Sequence, residues 1–175
     1  MGFEARSSLG LDNISALLPN VDISYSFLNT EVADGRIISN VSGSVGSEVD
    51  IDGKELPYAP AHTLLVGLHT SIFDRLSLRF DTKYVSEVYT DFENITRTDN
   101  LGITGPVPEY LIFNVSGSFQ FSENLRMFFS GKNITDEIYI GSRLHSNPGQ
   151  KEAGLSSGIL VGPRRQINLG LEYNF

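Results

Sequence analysis

The 175-residue chain contains no cysteine, so it has neither a disulfide framework nor a thiolate metal cluster. Basic charge is scarce as well: 13 Lys and Arg stand against 21 Asp and Glu, for a formal net charge of -8 and a pI ≈ 4.8. That balance argues against nucleic-acid binding, which needs a basic face to displace counterions. No apolar run reaches the roughly 18 residues that a transmembrane helix requires. Met1-Gly2-Phe3-Glu4-Ala5-Arg6 lacks the apolar centre of a secretory signal. Charged residues make up only 19% of the chain, less than the rough quarter of a soluble globular domain. A mean hydropathy of -0.08 still allows a membrane β-barrel, whose strands alternate so that polar and apolar halves cancel in any average.

What the chain does have is alternation. Ile167, Leu169, Leu171, Tyr173 and Phe175 interleave with Gln166, Asn168, Gly170, Glu172 and Asn174. Side chains on a strand point to opposite faces with period two, so one face is apolar and the other polar or small. The same pattern recurs at Val21–Phe27, Leu64–Ile72, Leu76–Tyr84, Leu111–Phe121 and Leu125–Phe129, with a weaker first strand over Gly2–Leu9. About seven strands are predicted, and no helical period competes with them. Arg79, Asp81, Lys83, Arg126 and Glu172 fall on the polar side. A dry core would not accept them unpaired, so that side meets water.

Connection lengths sharpen the class. Phe73-Asp74-Arg75 and Ser122-Glu123-Asn124 are tight turns, whereas Glu31–Ala61, Glu87–Glu109 and Gly141–Arg164 are long and rich in turn formers. Short turns alternating with long loops predict an antiparallel up-and-down transmembrane β-barrel segment, with the long loops outside. Two other readings are a small complete outer-membrane barrel, acting as adhesin or pore, and a soluble secreted β-sandwich binding carbohydrate.

From about Leu56 onward the residues resemble the C-terminal barrel of TonB-dependent outer-membrane receptors. The resembling pieces are Leu56-Pro57-Tyr58-Ala59-Pro60-Ala61-His62-Thr63, Pro106-Val107-Pro108-Glu109-Tyr110, Asn133-Ile134-Thr135-Asp136-Glu137-Ile138-Tyr139 and Gly162-Pro163-Arg164-Arg165. The last residues, Tyr173-Asn174-Phe175, resemble the terminal aromatic signal read by barrel-assembly machinery, with Leu171, Tyr173 and Phe175 as its apolar members. Val88-Tyr89-Thr90-Asp91-Phe92-Glu93-Asn94 is most similar to the ferric-citrate branch. The resemblance implies that residues 1–175 form part of a larger, 22-stranded plugged barrel. The signal peptide, the plug and the N-terminal strands would lie outside these residues, and Met1 would be an internal start or a fragment boundary. It further implies import of a ferric chelate energised through the TonB complex. The expected partners are outer-membrane lipid and lipopolysaccharide, the chelate itself, the TonB complex (through the plug region) and the assembly machinery.

Arg143, His145, Arg164 and Arg165 flank or occupy the last long loop. They are the expected contacts for an anionic chelate, since guanidinium forks match carboxylates. The competing reading has them pairing with loop acids or lipid phosphates. Asn133, Asp136 and Tyr139 are expected to be structural, as a bulge or a cap. His62, His69 and His145 come from three separate segments, so no metal site is expected. Asp50-Ile51-Asp52-Gly53 opens like a calcium loop but carries Lys54 at its fifth position, so it is read as an Asp-Gly turn. No nucleophile–base or paired-carboxylate arrangement can be argued from spacing, and neither catalysis nor a cofactor is expected.

Overall fold

The computed structural model describes residues 1–15, 18–39, 45–73, 75–143 and 158–175. Eleven strands lie among them: β1 (Gly2–Leu9), β2 (Asn20–Leu28), β3 (Arg36–Ile38), β4 (Glu48–Asp50), β5 (His62–Ile72), β6 (Leu76–Val85), β7 (Tyr110–Gln120), β8 (Leu125–Lys132), β9 (Ile140–Arg143), β10 (Ile159–Val161) and β11 (Gln166–Tyr173). No helix accompanies them among the described residues. Seven strands form one sheet in the order β1-β2-β5-β6-β7-β8-β11, and every neighbour pair is antiparallel. The remaining four make two-stranded hairpins, β3–β4 and β9–β10, inside the first and third long connections.

Residues directly opposite on antiparallel strands share a face, so each face can be followed across the sheet. One row runs Leu9–Val21–Leu68–Phe80–Val115–Gly131–Ile167. The adjacent row of the other face runs Asn20–His69–Arg79–Ser116–Ser130–Asn168. The strands therefore align their apolar halves into one continuous surface, as the alternation predicts. No second layer covers that surface among the described residues: on the edge strand Ile167, Leu169 and Leu171 are 71%, 74% and 71% exposed, and on the inner strands Leu68, Phe80 and Val115 are half-buried.

Two pairings interrupt the pattern, and each has a packing reason. Phe128 lies on the polar face opposite Gly170, where an added Cβ would stand 2.1 Å from its ring. Phe129 lies opposite Gly117 on the apolar face, and a Cβ there would approach its Cζ to 2.8 Å. An aromatic ring laid over a cross-strand glycine covers backbone that would otherwise be bare and pins the register.

The short connections, 10–19, 73–75 and 121–124, sit at one end of the sheet. The long ones, 29–61, 86–109 and 133–165, sit at the other. The last short turn is one residue longer than its sequence suggests, because β7 stops at Gln120 and Phe121 turns back to pack edge-on against Phe119, with centroids 4.8 Å apart. The buried residues gather in or beside the long connections. Ser39, Ile51, Thr90, Val107, Asn133 and Arg143 lie there, while Ile112, Gly67 and Gly131 are buried in strands of the main sheet.

This topology decides between the sequence readings. A sandwich needs a second sheet over the apolar face, and among the described residues the two further sheets are the loop hairpins. A complete small barrel needs β1 joined to β11, and these are the two outer strands of the sheet. What remains is an open antiparallel wall with one greasy and one wet face.

Candidate functional site

At the long-connection end the described residues of the three connections bond to one another and form a cap. Its third connection is closed by the Asn133–Tyr139 segment. Asn133 leaves β8 with a left-handed backbone (φ 48), as does Asp136 (φ 56), a conformation that Asn and Asp tolerate better than other side chains. The Asn133 side chain donates to Glu137 O and Pro163 O, both at 2.9 Å, and accepts from Glu137 N–H at 2.9 Å. One amide thus ties the end of β8 to the segment entering β11. Asp136 completes the closure by accepting both Arg164 Nε–H (2.9 Å) and Nη2–H (2.6 Å) and the Arg165 backbone N–H (3.0 Å). The Arg164 guanidinium and the Arg165 amide hold the Asp136 carboxyl well below the usual carboxylate range.

Tyr139 stacks on Tyr110 with centroids 4.6 Å apart, and burial pushes its hydroxyl pKa up. Gly162 lies flat against the same ring, where a Cβ would fall 2.0 Å from Tyr139 Cζ. Only glycine lets the backbone pass there.

The four residues expected to meet an anion have different fates. Arg143 is 5% exposed. Its Nη1–H donates to Gly102 O at 2.7 Å, its Nε–H and Nη2–H to Pro106 O at 3.0 and 2.9 Å, and its Nη2–H to Thr98 Oγ1 at 3.4 Å. Four bonds thus hold the guanidinium inside the cap, where the side chain is an internal strut. Arg164 is held by Asp136. The Arg165 side chain is exposed and bonds to nothing among the described residues. His145 lies outside the described residues.

Charge within the cap is uneven. The first and second long connections carry six and five acids against two bases and one, while the third carries four bases against three acids. The third connection is thus the one with a net positive formal charge, and both guanidiniums of the pair just before β11, Arg164 and Arg165, are exposed.

Below the cap, the polar face holds a concavity of about 420 Å³ whose lining includes Arg6, Asp22, Gly67, Arg79, Asp81 and Lys83. Arg79 pairs with Asp81 at 2.8 Å, and His69 Nδ1 stands 3.5 Å from Asp22. Gly67 leaves the floor open: a Cβ there would sit 3.1 Å from Arg79 Nη2. Among the described residues no cluster of three or more His, Asp or Glu could hold a metal. Gly53 adopts φ 70 and Asp52 accepts the Gly35 N–H at 2.8 Å, so the Asp50–Gly53 segment is a turn. At the opposite end, Leu171 and Tyr173 lie exposed on the outer strand β11, and Phe175, just past it, packs edge-on with Tyr173 at 5.1 Å.

Reasoning from sequence missed the internal cage around Arg143, because Thr98, Gly102 and Pro106 are 37 to 45 residues away from it. The signal for Gly162 was visible as its place before Pro163, but its aromatic partner was not.

No protein-family model matches the chain, and no curated protein matches it in sequence. Solved structures do match in fold. The ferric citrate transporter FecA in its unliganded form matches with a TM-score of 0.71 at 18% identity, over 98% of this chain and 23% of that one. The siderophore receptor PiuA from Acinetobacter baumannii matches at 0.69 and 16%, over 98% of this chain and 21% of that one. The ferric yersiniabactin uptake receptor FyuA from Yersinia pestis matches at 0.66 and 15%, over 99% of this chain and 23% of that one. The chain thus has the fold of a piece of a receptor barrel and spans about a fifth of the length of those receptors. Receptors for several chelates match alike, so the fold does not single out one of them.

Proposed function

We propose that these residues form part of the barrel wall and three of the extracellular loops of a TonB-dependent receptor in the bacterial outer membrane. The receptor imports a ferric chelate. The observation that carries this reading is the continuous apolar face backed by a charged one. Seven strands place Leu, Phe, Val and Ile on one face, with no second sheet over them among the described residues. Hydrocarbon is the medium that such a face requires, at about 1.5–3 kcal/mol for each large side chain removed from water.

In this reading the polar face lines the lumen, and the plug, signal peptide and remaining strands belong to parts of the receptor outside these residues. TonB coupling to the inner-membrane proton gradient acts through that plug. Lipid and lipopolysaccharide surround the wall, and Leu171, Tyr173 and Phe175 address the chain to the assembly machinery. Arg165 and Arg164, together with His145, form the anionic-chelate contact. Ferric citrate is the substrate that the Val88–Asn94 resemblance favours.

The test is uptake of iron-55 chelates by cells whose sole receptor is the natural polypeptide carrying these residues. Saturable uptake that stops when the proton gradient is collapsed is expected. Failure to accumulate any ferric chelate would remove the assignment, and ranking citrate against catecholate and phenolate chelates would name the substrate.

A further inference from the structure

We propose that Arg143 is a positioning residue that locks the described parts of the three long connections into one body, so that they move as a unit rather than loop by loop. The proposal does not depend on what the receptor carries.

Arg143 belongs to the third connection, and its side chain bonds to Thr98, Gly102 and Pro106 of the second. Its backbone is shared with the first. Arg143 N–H donates to the Tyr58 hydroxyl at 3.1 Å, and that hydroxyl donates to Arg143 O at 2.8 Å. A single residue therefore bonds into all three.

The chemistry at the centre is unusual for a buried cation. No carboxylate forms a salt bridge with Arg143 among the described residues. Backbone carbonyls and one hydroxyl solvate it instead, and desolvation lowers its pKa, opposed by Asp99 and Tyr58. A buried charge is tolerated only when its donors are met, and a satisfied buried network is rigid because losing one member strands the others. The fork is required: one guanidinium reaches two carbonyls and a hydroxyl at fixed angles, which an ammonium cannot do.

Smaller bonds lie around this centre and would follow it. Tyr58 N–H donates to Tyr89 O at 2.9 Å, and Gly158 N–H to Leu101 O at 2.9 Å. Glu55 and Asn94 exchange two bonds, at 2.7 and 2.9 Å. Gly102 itself adopts φ +72, and a Cβ there would stand 2.6 Å from Ile159 Cγ1. The second connection is thus shaped to receive both legs of the third.

Hydrogen exchange on the natural polypeptide in detergent or native membrane tests this directly, with the amides of Tyr58, Ile103 and Gly158 reporting the three connections. In Arg143→Ala all three are expected to exchange about tenfold faster or more: the side-chain bonds to the second connection are lost outright, and the backbone bonds between residue 143 and Tyr58 lose the anchor that holds them in place. Arg143→Lys, which keeps the charge and loses the fork, is expected not to restore Ile103. Tyr58→Phe removes one hydroxyl and is expected to release Tyr58 while leaving Ile103 protected. Amides of β5 to β8 are the folding control. If Arg143→Ala also unprotects those strands, the Tyr58→Phe pattern decides alone. Faster exchange confined to residues 140–143 in Arg143→Ala would overturn the proposal, as would an unmoved Tyr58 amide in Tyr58→Phe.

Discussion

Replacing Leu169 with Arg probes the facing of the whole sheet. Leu169 is the fourth residue of the eight in β11 and is 74% exposed. Its row runs through Phe129, Gly117, Leu78 and Thr70 on the apolar side. At about 3.3 Å per residue, tilted as barrel strands are, it stands near the middle of a hydrocarbon band about 25 Å tall. A guanidinium at that depth is expected to cost about 2–4 kcal/mol, or about 30- to 700-fold in the folding equilibrium at about 1.4 kcal/mol per decade. Its neighbour Asn168 points the other way, into the row of Ser130, Ser116 and Arg79. Asn168→Arg there meets water and hydroxyls and is expected to change stability by less than about 0.5 kcal/mol. The assay is a urea titration of the natural polypeptide refolded into lipid vesicles, read by the gel mobility of folded against unfolded barrel. Equal midpoint shifts for the two variants, or a larger one for Asn168→Arg, would refute the facing and with it the lipid-exposed apolar side.

Three further outcomes follow from the cap and the sheet. Gly162→Ala drives a methyl into the Tyr139 ring and is expected to cost about 1–3 kcal/mol by overpacking; pairing it with Tyr139→Ala should restore much of the loss in the same titration. The Asp136 carboxyl is held below its ordinary value of 3.8, so its contribution to closing the third connection is fully present above about that pH. The contribution is lost as pH falls further, through the depressed folded-state value. Pepsin cleavage of that connection should therefore rise steeply with acidity in the native protein, and Asp136→Asn should flatten the profile. Arg165→Ala should weaken binding of an anionic ferric chelate about tenfold, the scale of one charge-assisted hydrogen bond. The same chelate titration on Asn20→Ala, a polar-face residue at the far end of the sheet, should leave affinity unchanged.

How far the sequence carried can be seen element by element. The seven long strands were legible because eight to eleven residues give period two room to show itself, and the sheet faces followed from the same count. The three- and four-residue strands β3, β4, β9 and β10 were not, since so short a run holds at most two alternations. Phe128 and Gly170 looked like faults in an otherwise regular pattern; the register makes them one feature. Arg143 and Arg164 read alike as cations near a loop, yet one is a strut inside the cap and the other closes the foot of the third connection.

Local chemistry was enough to determine the strands, their two faces and the turn or loop character of each connection. These depend on the direction in which successive side chains leave the backbone, a property of neighbours along the chain. Tertiary structure alone decided the register, the glycine–aromatic pairs and the partners of Arg143. Those depend on groups tens of residues apart meeting at hydrogen-bond distance, and a carbonyl at Gly102 or Pro106 looks the same in the sequence whether or not a guanidinium will find it.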